Sequence, residues 1–524
     1  MKTQGLPAKI IFLLFLSNMY SNAQSTELKV SAYTFSVQPK VGTPSGHSRS
    51  GNQIEEVHGD LKSTLVLFQQ GETKMCLLTS SFGVEWDLLH EICVEKLSRA
   101  LNIPEEAIVT NSSHNHTLPF MIVDEEEERP ADGTPDLLSW ELGKEFLEGL
   151  EKAADHVSDN LTPVTVEWGK AEENRITYNR KGYRPDGSSY FMREEDRLNI
   201  EGEGYIGLID PEAIVVVFQN YAQKPVAALS FFTGHPVAAY SPEKLISYGQ
   251  FPQAGSEILS KHLGNIPVAF VQGSAGDINS KYLLTDKIAE AKELGEFLGE
   301  SFIIAANSLR PSKRVGFEMS RETVNVPLSK LPGQEKLQKD LNSIDDFIKR
   351  GKEGDENTME CVGMNFPKAL TPPYRARLVD LVRPWYVWAL DQYKTQNLDN
   401  VPEYLPMEIV VARFGDVGFV GMPFETFVST GLKIKEEAIF PCVLTCGYTD
   451  GRYGYIPDAR GVDDREYMSG FFRYIGEFKQ LYDADGKKVP KRTYSANHFI
   501  PPYKAPGGDA CAEVAIQKLN EYAQ

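Results

Sequence analysis

Short apolar runs of strand length, each stopping at a glycine-rich or polar turn, constrain the fold of this chain more than any other feature. They are "EEAIVTNSSHNHT" (105–117), "EAIVVVFQN" (212–220), "PVAALSFFTGHPVAAY" (225–240), "NIPVAFVQGSAGDINSKY" (265–282) and "EIVVARFGDVGFVGMPFET" (408–426). Such bounded runs are typical of buried strands. Amphipathic or aromatic-rich patterns predict helices at about 86–101, 135–157, 285–309 and 384–393, and residues 349–357 predict an exposed loop. The mixture predicts an α/β fold, with α+β as the alternative, in one large catalytic domain of mixed β-sheets flanked by helices.

Polar side chains recur just past these strand ends, where open α/β sheets hold their sites. His114 and His116 lie just past the apolar part of the first segment, His235 lies just past that of the third, and Glu425 is the last residue but one of the final segment. In an extended backbone, residues two apart point to the same side, so the first two histidines could present both imidazoles to one ion. Zinc accepts nitrogen and oxygen ligands, and a catalytic zinc needs about three from the protein. Solvated or capping histidines, and a core His235 bonded to a backbone carbonyl, remain the alternatives.

The N-terminus predicts export. Residues 1–23 combine Lys2 and Lys9 with an apolar stretch at 10–16 and a Ser-Asn-Ala end, which is typical of a cleaved signal peptide. The apolar stretch is much shorter than the roughly 20 residues of a spanning helix. We therefore expect residues 24–524 to form the mature protein, periplasmic or secreted, without a transmembrane segment.

The net charge limits the possible partners of the chain, and the cysteine count limits its disulfide bonds. The net charge is −19, from 73 acidic and 54 basic residues. Such a surface repels phosphate backbones, so we expect no nucleic-acid partner. Six cysteines are few for 524 residues, which favours buried thiols or a local disulfide over a disulfide scaffold. The expected partner is a small-molecule, oligosaccharide or lipid substrate, and the oligomeric state is not predicted.

Five motifs in order resemble the neutral, or non-lysosomal, ceramidase family. They are "SHNH" (113–116), "TGHPV" (233–237), "QGSAGDINS" (272–280), "GMPFET" (421–426) and "YGYIPDARGVDDREY" (453–467). The resemblance spans nearly all of the expected mature chain and corresponds to the N-terminal catalytic domain of the family. It implies a divergent bacterial member whose catalytic domain binds zinc.

The resemblance also implies roles for individual residues. The family's zinc ligands are matched by His114, His116, His235, Glu425 and Tyr455. Among Tyr448, Tyr453 and Tyr455, the last is chosen by motif position alone. Tyr467 matches a tyrosine that steadies the developing oxyanion, and Arg180 in "ITYNRKG" lies near an arginine that contacts substrate.

Asn279 departs from the family pattern, because the family has a serine there that is proposed as a catalytic residue. An amide is neither a nucleophile nor an equivalent proton acceptor. Asn279 is therefore expected only to orient another group through hydrogen bonds, and Ser280 follows one position later. This change removes the group on which the usual route of amide hydrolysis in the family is proposed to depend.

Three hypotheses follow. The first is a secreted zinc-dependent hydrolase of the ceramidase type, in which metal-activated water attacks an N-acyl amide or related acyl bond. The second is a metal-dependent dehydratase, lyase or hydrolase acting on oligosaccharides from a uronic-acid-containing polysaccharide such as ulvan. The asparagine at 279 favours the second, whereas the charge of −19 disfavours an anionic substrate. The third, a non-catalytic binding protein, is disfavoured by the complete set of metal positions.

Overall fold

The computed structural model describes residues 27–45, 53–85, 87–124, 136–183, 189–202, 204–241, 244–457, 499, 501–504 and 507–524. The signal peptide expected at residues 1–23 and the side chain of Tyr467 lie outside these ranges. Within them, no helix combines the length and the apolar character that crossing a membrane requires. The chain is a mixed α/β protein, as predicted.

The larger sheet carries nine strands. Eight form a continuous path in the order β13 (Val268–Gln272), β11 (Pro225–Phe232), β10 (Glu212–Asn220), β6 (Thr162–Glu172), β1 (Lys29–Val37), β3 (Leu61–Gln70), β4 (Thr73–Ser80) and β5 (Ile108–Ser112), while β15 (Arg310–Pro311) pairs with β6. The β11–β13 and β4–β5 pairs are parallel. Val215, Val216 and Val217 of β10 are fully buried, because both faces of the sheet are covered, and this explains why the apolar run does not alternate.

The second sheet has the order β16 (Phe317–Pro327), β19 (Tyr404–Phe414), β20 (Val417–Gly421) and β22 (Cys442–Cys446). Its apolar face packs on the larger sheet through a cluster that includes Phe68, Phe218, Phe317 and Phe414. The Phe68 and Phe218 rings meet edge to face at 5.3 Å. Full burial of each such side chain contributes about 1.5–3 kcal/mol, so this cluster holds the two sheets together.

Short strand pairs connect the sheets to the surrounding loops. They are β2 (Glu56–His58) with β12 (Ile246–Tyr248), β7 (Thr177–Asn179) with β14 (Ile278–Ser280), β8 (Lys181–Tyr183) with β9 (Ser189–Phe191), β17 (Glu360–Cys361) with β18 (Met364–Asn365), and β21 (Glu425–Thr426) with β23 (Tyr455–Ile456). Three of these pairs, β7–β14, β8–β9 and β21–β23, carry or adjoin predicted site residues.

Helices flank the sheets. The longer ones are α1 (Asp87–Leu101), α2 (Leu137–Asp159), α3 (Gln250–His262), α4 (Ile288–Ala306), α5 (Gln334–Lys352), α6 (Pro372–Asp380), α7 (Arg383–Lys394), α8 (Val428–Glu437) and α9 (Gly507–Tyr522). The predicted helices at 86–101, 135–157, 285–309 and 384–393 are confirmed. Helix α2 begins where the Asp136 carboxylate accepts a hydrogen bond from the Ser139 amide at 2.9 Å, a regular N-cap.

The prediction of an exposed loop at 349–357 is wrong for its first four residues, because α5 continues to Lys352. Phe347 and Ile348 are buried, and Gly351 lies so close to α6 that an added Cβ would come within 2.7 Å of the Ala376 Cβ. Tertiary packing therefore extends a helix that the local composition does not indicate.

The prediction of buried thiols is confirmed. All six cysteines are buried and free, and burial raises the pKa of the Cys361 and Cys442 thiols to about 12. Thiols of this kind stay protonated at neutral pH, so they behave as small apolar core side chains.

Candidate metal centre

The carboxyl ends of four strands from both sheets meet at one place. His114 and His116 follow β5, His235 follows β11, Glu425 follows β20, and the turn after β13 leads to Asn279. Isolated bridges pair Asn111 with Thr449, Gly273 with Cys446, and His235 with Asn279. The predicted site residues within the described ranges therefore converge because the topology joins strand ends that are distant in sequence.

Three imidazoles and a carboxylate face one another at this junction. The Nε2 atoms of His116 and His114 are 3.2 Å apart, and the ligating atoms of His114, His116 and His235 all lie within 4.8 Å of one another. The Oε2 atom of Glu425 is 3.2 Å from His235 Nε2 and 3.5 Å from His114 Nε2. The cluster is buried except at His116, which is half-buried.

The rings of His114 and His116 converge, but the prediction that an extended backbone brings them together is wrong. Strand β5 ends at Ser112, and His114 has a φ of +58°, in the left-handed region that side chains other than glycine seldom adopt. The pair thus lies in a turn and not in an extended segment. Such strain persists where the surroundings impose it and is concentrated at functional sites.

Hydrogen bonds at Nδ1 orient two of the imidazoles. His235 Nδ1 lies 2.6 Å from the Ala275 carbonyl oxygen and 3.2 Å from that of Ile278. Because carbonyl oxygens only accept, Nδ1 carries the proton and the Nε2 lone pair faces the centre. His114 Nδ1 pairs in the same sense with the Glu85 carboxylate at 3.2 Å, the arrangement common behind metal-binding histidines.

This arrangement fits a cation. The Nε2 lone pairs of His235 and His114 both face the Oε2 atom of Glu425, so that acceptors face an acceptor. Burial, reinforced by the nearby Arg180 charge, lowers the pKa of His235 to about 4, which favours the neutral ring that binds metals. A metal ion placed between these atoms would satisfy the opposed acceptors.

Glu425 remains ionised in this buried setting. Burial alone would raise the pKa of its carboxyl, but the adjacent His114 and the charge of Arg452 hold that pKa well below its usual range. Arg452 Nη1 lies 3.6 Å from the other carboxylate oxygen. The centre therefore presents a full negative charge to a cation.

Two of the three tyrosines left open by the sequence reach this cluster. The Tyr448 hydroxyl lies 3.5 Å from His235 Nε2. Tyr455 is directly opposite Glu425 in the β21–β23 pair, and burial, with the charge of Glu425, raises its pKa far above the ordinary value, so it remains a phenol. Tyr453 packs instead in the apolar cluster of the second sheet.

Arg180 and Asn279 lie behind Tyr455. Arg180 is buried and donates from Nη2 to the Tyr455 hydroxyl oxygen at 2.9 Å, and from Nη1 to Asn279 Oδ1 at 3.0 Å. The Asn279 amide nitrogen donates to the Tyr178 hydroxyl at 3.3 Å. Gly276, whose carbonyl also accepts from Arg180, has no room for a Cβ, which would lie 2.3 Å from the Glu425 carbonyl oxygen.

Sequence reasoning missed Glu85. Its carboxylate is buried just after β4 and contacts His114. The signal that marked Glu425, an acid at a strand end, also exists at Glu85. No histidine or motif lies beside Glu85 in sequence, so that signal alone could not single it out.

Comparisons with known proteins bear on the fold. No family model matches the chain, and no curated protein matches it. A solved neutral ceramidase from Pseudomonas aeruginosa is similar, with a TM-score of 0.58 at 13% identity over 95% of this chain and 75% of that chain. A ceramidase complexed with C2 gives a TM-score of 0.57 at 14% identity over 95% and 76%. The predicted resemblance to ceramidases is thus confirmed at the level of the fold.

Proposed function

We propose that this protein is a secreted zinc-dependent hydrolase that cleaves an N-acyl amide or a related acyl bond. The observation that carries the proposal is the convergence of three imidazole nitrogens and the Glu425 carboxylate, with His114 and His235 oriented from behind. The ceramidase-like fold supports an acyl amide as the substrate class.

The ligands proposed for the ion are His114, His116, His235, Glu425 and Tyr455. Nitrogen and oxygen donors of this kind suit zinc, which when bound lowers the pKa of water and polarises a carbonyl group. Glu85 and the Ala275 carbonyl hold two imidazoles in the tautomer that points Nε2 inward. The chain therefore supplies a preorganised set of ligands.

Arg180, Asn279 and Tyr467 are proposed to serve the substrate and not to bind the metal. Arg180 keeps the Tyr455 hydroxyl in place and brings a positive charge next to it. Asn279 accepts from the Arg180 guanidinium and so fixes its plane. Tyr467 is proposed to steady the developing oxyanion, on the basis of its position in the motif.

A second candidate is a metal-dependent dehydratase, lyase or hydrolase acting on uronic-acid-containing oligosaccharides such as those from ulvan. The amide of Asn279 is bonded at both its oxygen and its nitrogen. Ser280 is fully buried and donates to the Tyr282 carbonyl at 2.8 Å. Neither residue offers a serine-like nucleophile, and this observation favours a reaction in which no such group takes part.

Metal analysis and product mass test the proposal. Purified protein is expected to contain zinc, and the His114→Ala/His116→Ala double variant to lose both zinc and activity. Mass spectrometry of products separates the candidates, because hydrolysis adds the mass of one water and dehydration removes it. Metal-free wild-type protein together with full activity of the double variant would contradict both candidates.

Export is part of the proposal and rests on the character of residues 1–23. Cell fractionation should find the protein in the periplasm or the medium, and N-terminal sequencing of that material should begin at Gln24. Recovery of the uncut chain in the cytoplasm would contradict it.

A further inference from the structure

A largely buried arginine of the second sheet holds two segments of the candidate metal centre together. Arg321, on β16, donates from Nη2 to the Ile108 carbonyl at 2.6 Å and from Nε to the Glu106 carbonyl at 2.8 Å. Its Nη1 donates to Asp450 Oδ2 at 2.8 Å. One guanidinium therefore contacts both the strand that leads to the histidine pair and the loop 447–454 that leads to Tyr455.

Asp450 binds the histidine strand as well as Arg321. Its Oδ1 accepts from the Thr110 amide at 2.7 Å, and its own amide donates to the Thr110 carbonyl at 2.9 Å. The Thr110 hydroxyl is in turn 3.0 Å from His90 Nδ1. The Arg321 and Asp450 side chains are 13% and 10% exposed, so water competes little for these bonds.

The loop is held in a costly conformation. Tyr448 and Asp450 have φ values of +50° and +57°, and non-glycine residues in this region cost of order 1–3 kcal/mol each unless their surroundings impose it. The Ser112 amide donates to the Tyr448 carbonyl at 3.3 Å. These contacts fix how the loop and β5 lie against each other.

The spacing of the proposed ligands depends on this alignment. His114 and His116 extend from β5, whereas the loop ends at Tyr455, which pairs with Glu425. A buried ion pair adds little net stability compared with apolar side chains of the same volume, so a contribution to stability alone does not account for it. We infer that the Arg321–Asp450 pair is a positioning device that sets the distance between the two halves of the metal centre, and thereby its affinity for metal.

The chain contains a matched control. Asp416 is a buried carboxylate in the β19–β20 turn, paired with Arg314 Nη1 at 3.3 Å and accepting from the Lys313 amide at 2.6 Å. Its side chain is 9% exposed, close to the value for Asp450. No hydrogen bond of Asp416 reaches β5 or the loop 447–454.

The experiment compares Asp450→Asn and Arg321→Lys with Asp416→Asn. Zinc affinity is measured by chelator competition, the thermal midpoint by circular dichroism, and hydrogen exchange by mass spectrometry on metal-free protein. In Asp450→Asn and Arg321→Lys we expect zinc affinity to fall on the order of 10–100-fold, with faster exchange at residues 108–116 and 447–456. Asp416→Asn should lower the thermal midpoint while keeping zinc affinity within about twofold, as expected for a distant site.

The inference rests on the proposed metal centre, and its failure is distinguishable from a failure of that centre. Wild-type protein that binds no zinc overturns the metal centre, whereas unchanged exchange in the metal-free Asp450→Asn and Arg321→Lys proteins overturns the positioning role. Zinc affinity that is unchanged despite faster exchange also overturns it, as does an equal loss of affinity in Asp416→Asn. If Asp450→Asn does not fold, Arg321→Lys decides, because lysine keeps the charge but cannot reach all three acceptors.

Discussion

Tyr448 stacks on His114, with ring centroids 4.3 Å apart and an interplanar angle of 23°. The contact places a phenol against a proposed metal ligand while its hydroxyl lies 3.5 Å from His235 Nε2. Tyr455, in contrast, has its hydroxyl fixed by Arg180. The two tyrosines therefore differ in what removal of a hydroxyl would change.

Removing the hydroxyl of each tyrosine should show which one binds the metal and which one only packs against His114. Tyr455→Phe is expected to weaken zinc affinity about tenfold or more, an effect of the size seen when a group at a metal site is lost. Tyr448→Phe keeps the ring on His114 and should change affinity little. Chelator competition measures both, and the reverse order would make Tyr448 the oxygen ligand.

Glu85 should control zinc affinity from behind His114. Glu85→Gln removes the charge that orients the ring, so zinc affinity should fall on the order of 10–100-fold. Glu56→Gln is the matched control, because Glu56 contacts the half-buried His58 at 3.1 Å, outside the proposed ligand set. Equal affinities in wild type and Glu85→Gln would exclude the orienting role.

Asn279 should affect turnover rather than metal binding. Asn279→Leu removes the acceptor for Arg180, a hydrogen bond to a charged group worth about 1.5–3 kcal/mol, so kcat/KM should fall by about 10–100-fold on that scale. Zinc content should stay at the wild-type level. Ser280→Ala, one residue away, serves as the control, and a wild-type kcat/KM for Asn279→Leu would contradict the assignment.

A buried ion cluster links α8 to the larger sheet. Lys435 Nζ lies 2.7 Å from Asp210 Oδ2 and 2.8 Å from Glu212 Oε2. Lys435→Met leaves the buried Asp210 carboxylate without its cation, while Glu212 keeps Lys170 at 2.8 Å, and should lower the free energy of unfolding by about 3–5 kcal/mol. Lys433→Met, on the same helix but paired with Asp509 near the surface at 3.2 Å, should cost less than about 1 kcal/mol. Urea unfolding measures the free energy of unfolding of both variants, and similar losses in Lys435→Met and Lys433→Met would contradict this prediction.

The same cluster predicts a pH dependence of stability. Burial alone would raise the pKa of Glu212, but Lys435 and Lys170 hold it below its ordinary value of 4.5. Its contribution is therefore complete above pH 4.5 and is lost as pH falls through the lower folded-state pKa. Glu212→Gln should flatten the acid loss of unfolding free energy, while Glu257→Gln, paired with Lys62 at 2.8 Å in a partly exposed setting, should not. Identical acid profiles for Glu212→Gln and wild type would count against this account.

Local patterns predicted the parts of the fold that local physics determines. The valines of β10 form an unbroken apolar run because they are buried on both faces, and the histidine pair was visible as a spacing in sequence. The contact between Arg180 and Tyr455 joins residues 275 positions apart, and that between His114 and Glu85 joins residues 29 apart. Such pairings are set by strand order, which no single segment encodes. The turn at His114 also escaped prediction, because the surrounding structure imposes its positive φ.

His235 is held by main-chain carbonyls, whereas His114 is held by a side chain. A codon change can delete the Glu85 carboxylate, but no codon change can delete the carbonyl oxygen of Ala275. Mutation of Glu85 can therefore change the orientation of His114, whereas no side-chain substitution removes the main-chain carbonyl that orients His235. Among proteins of this fold, we therefore expect sequence changes to alter the orientation of His114 before that of His235.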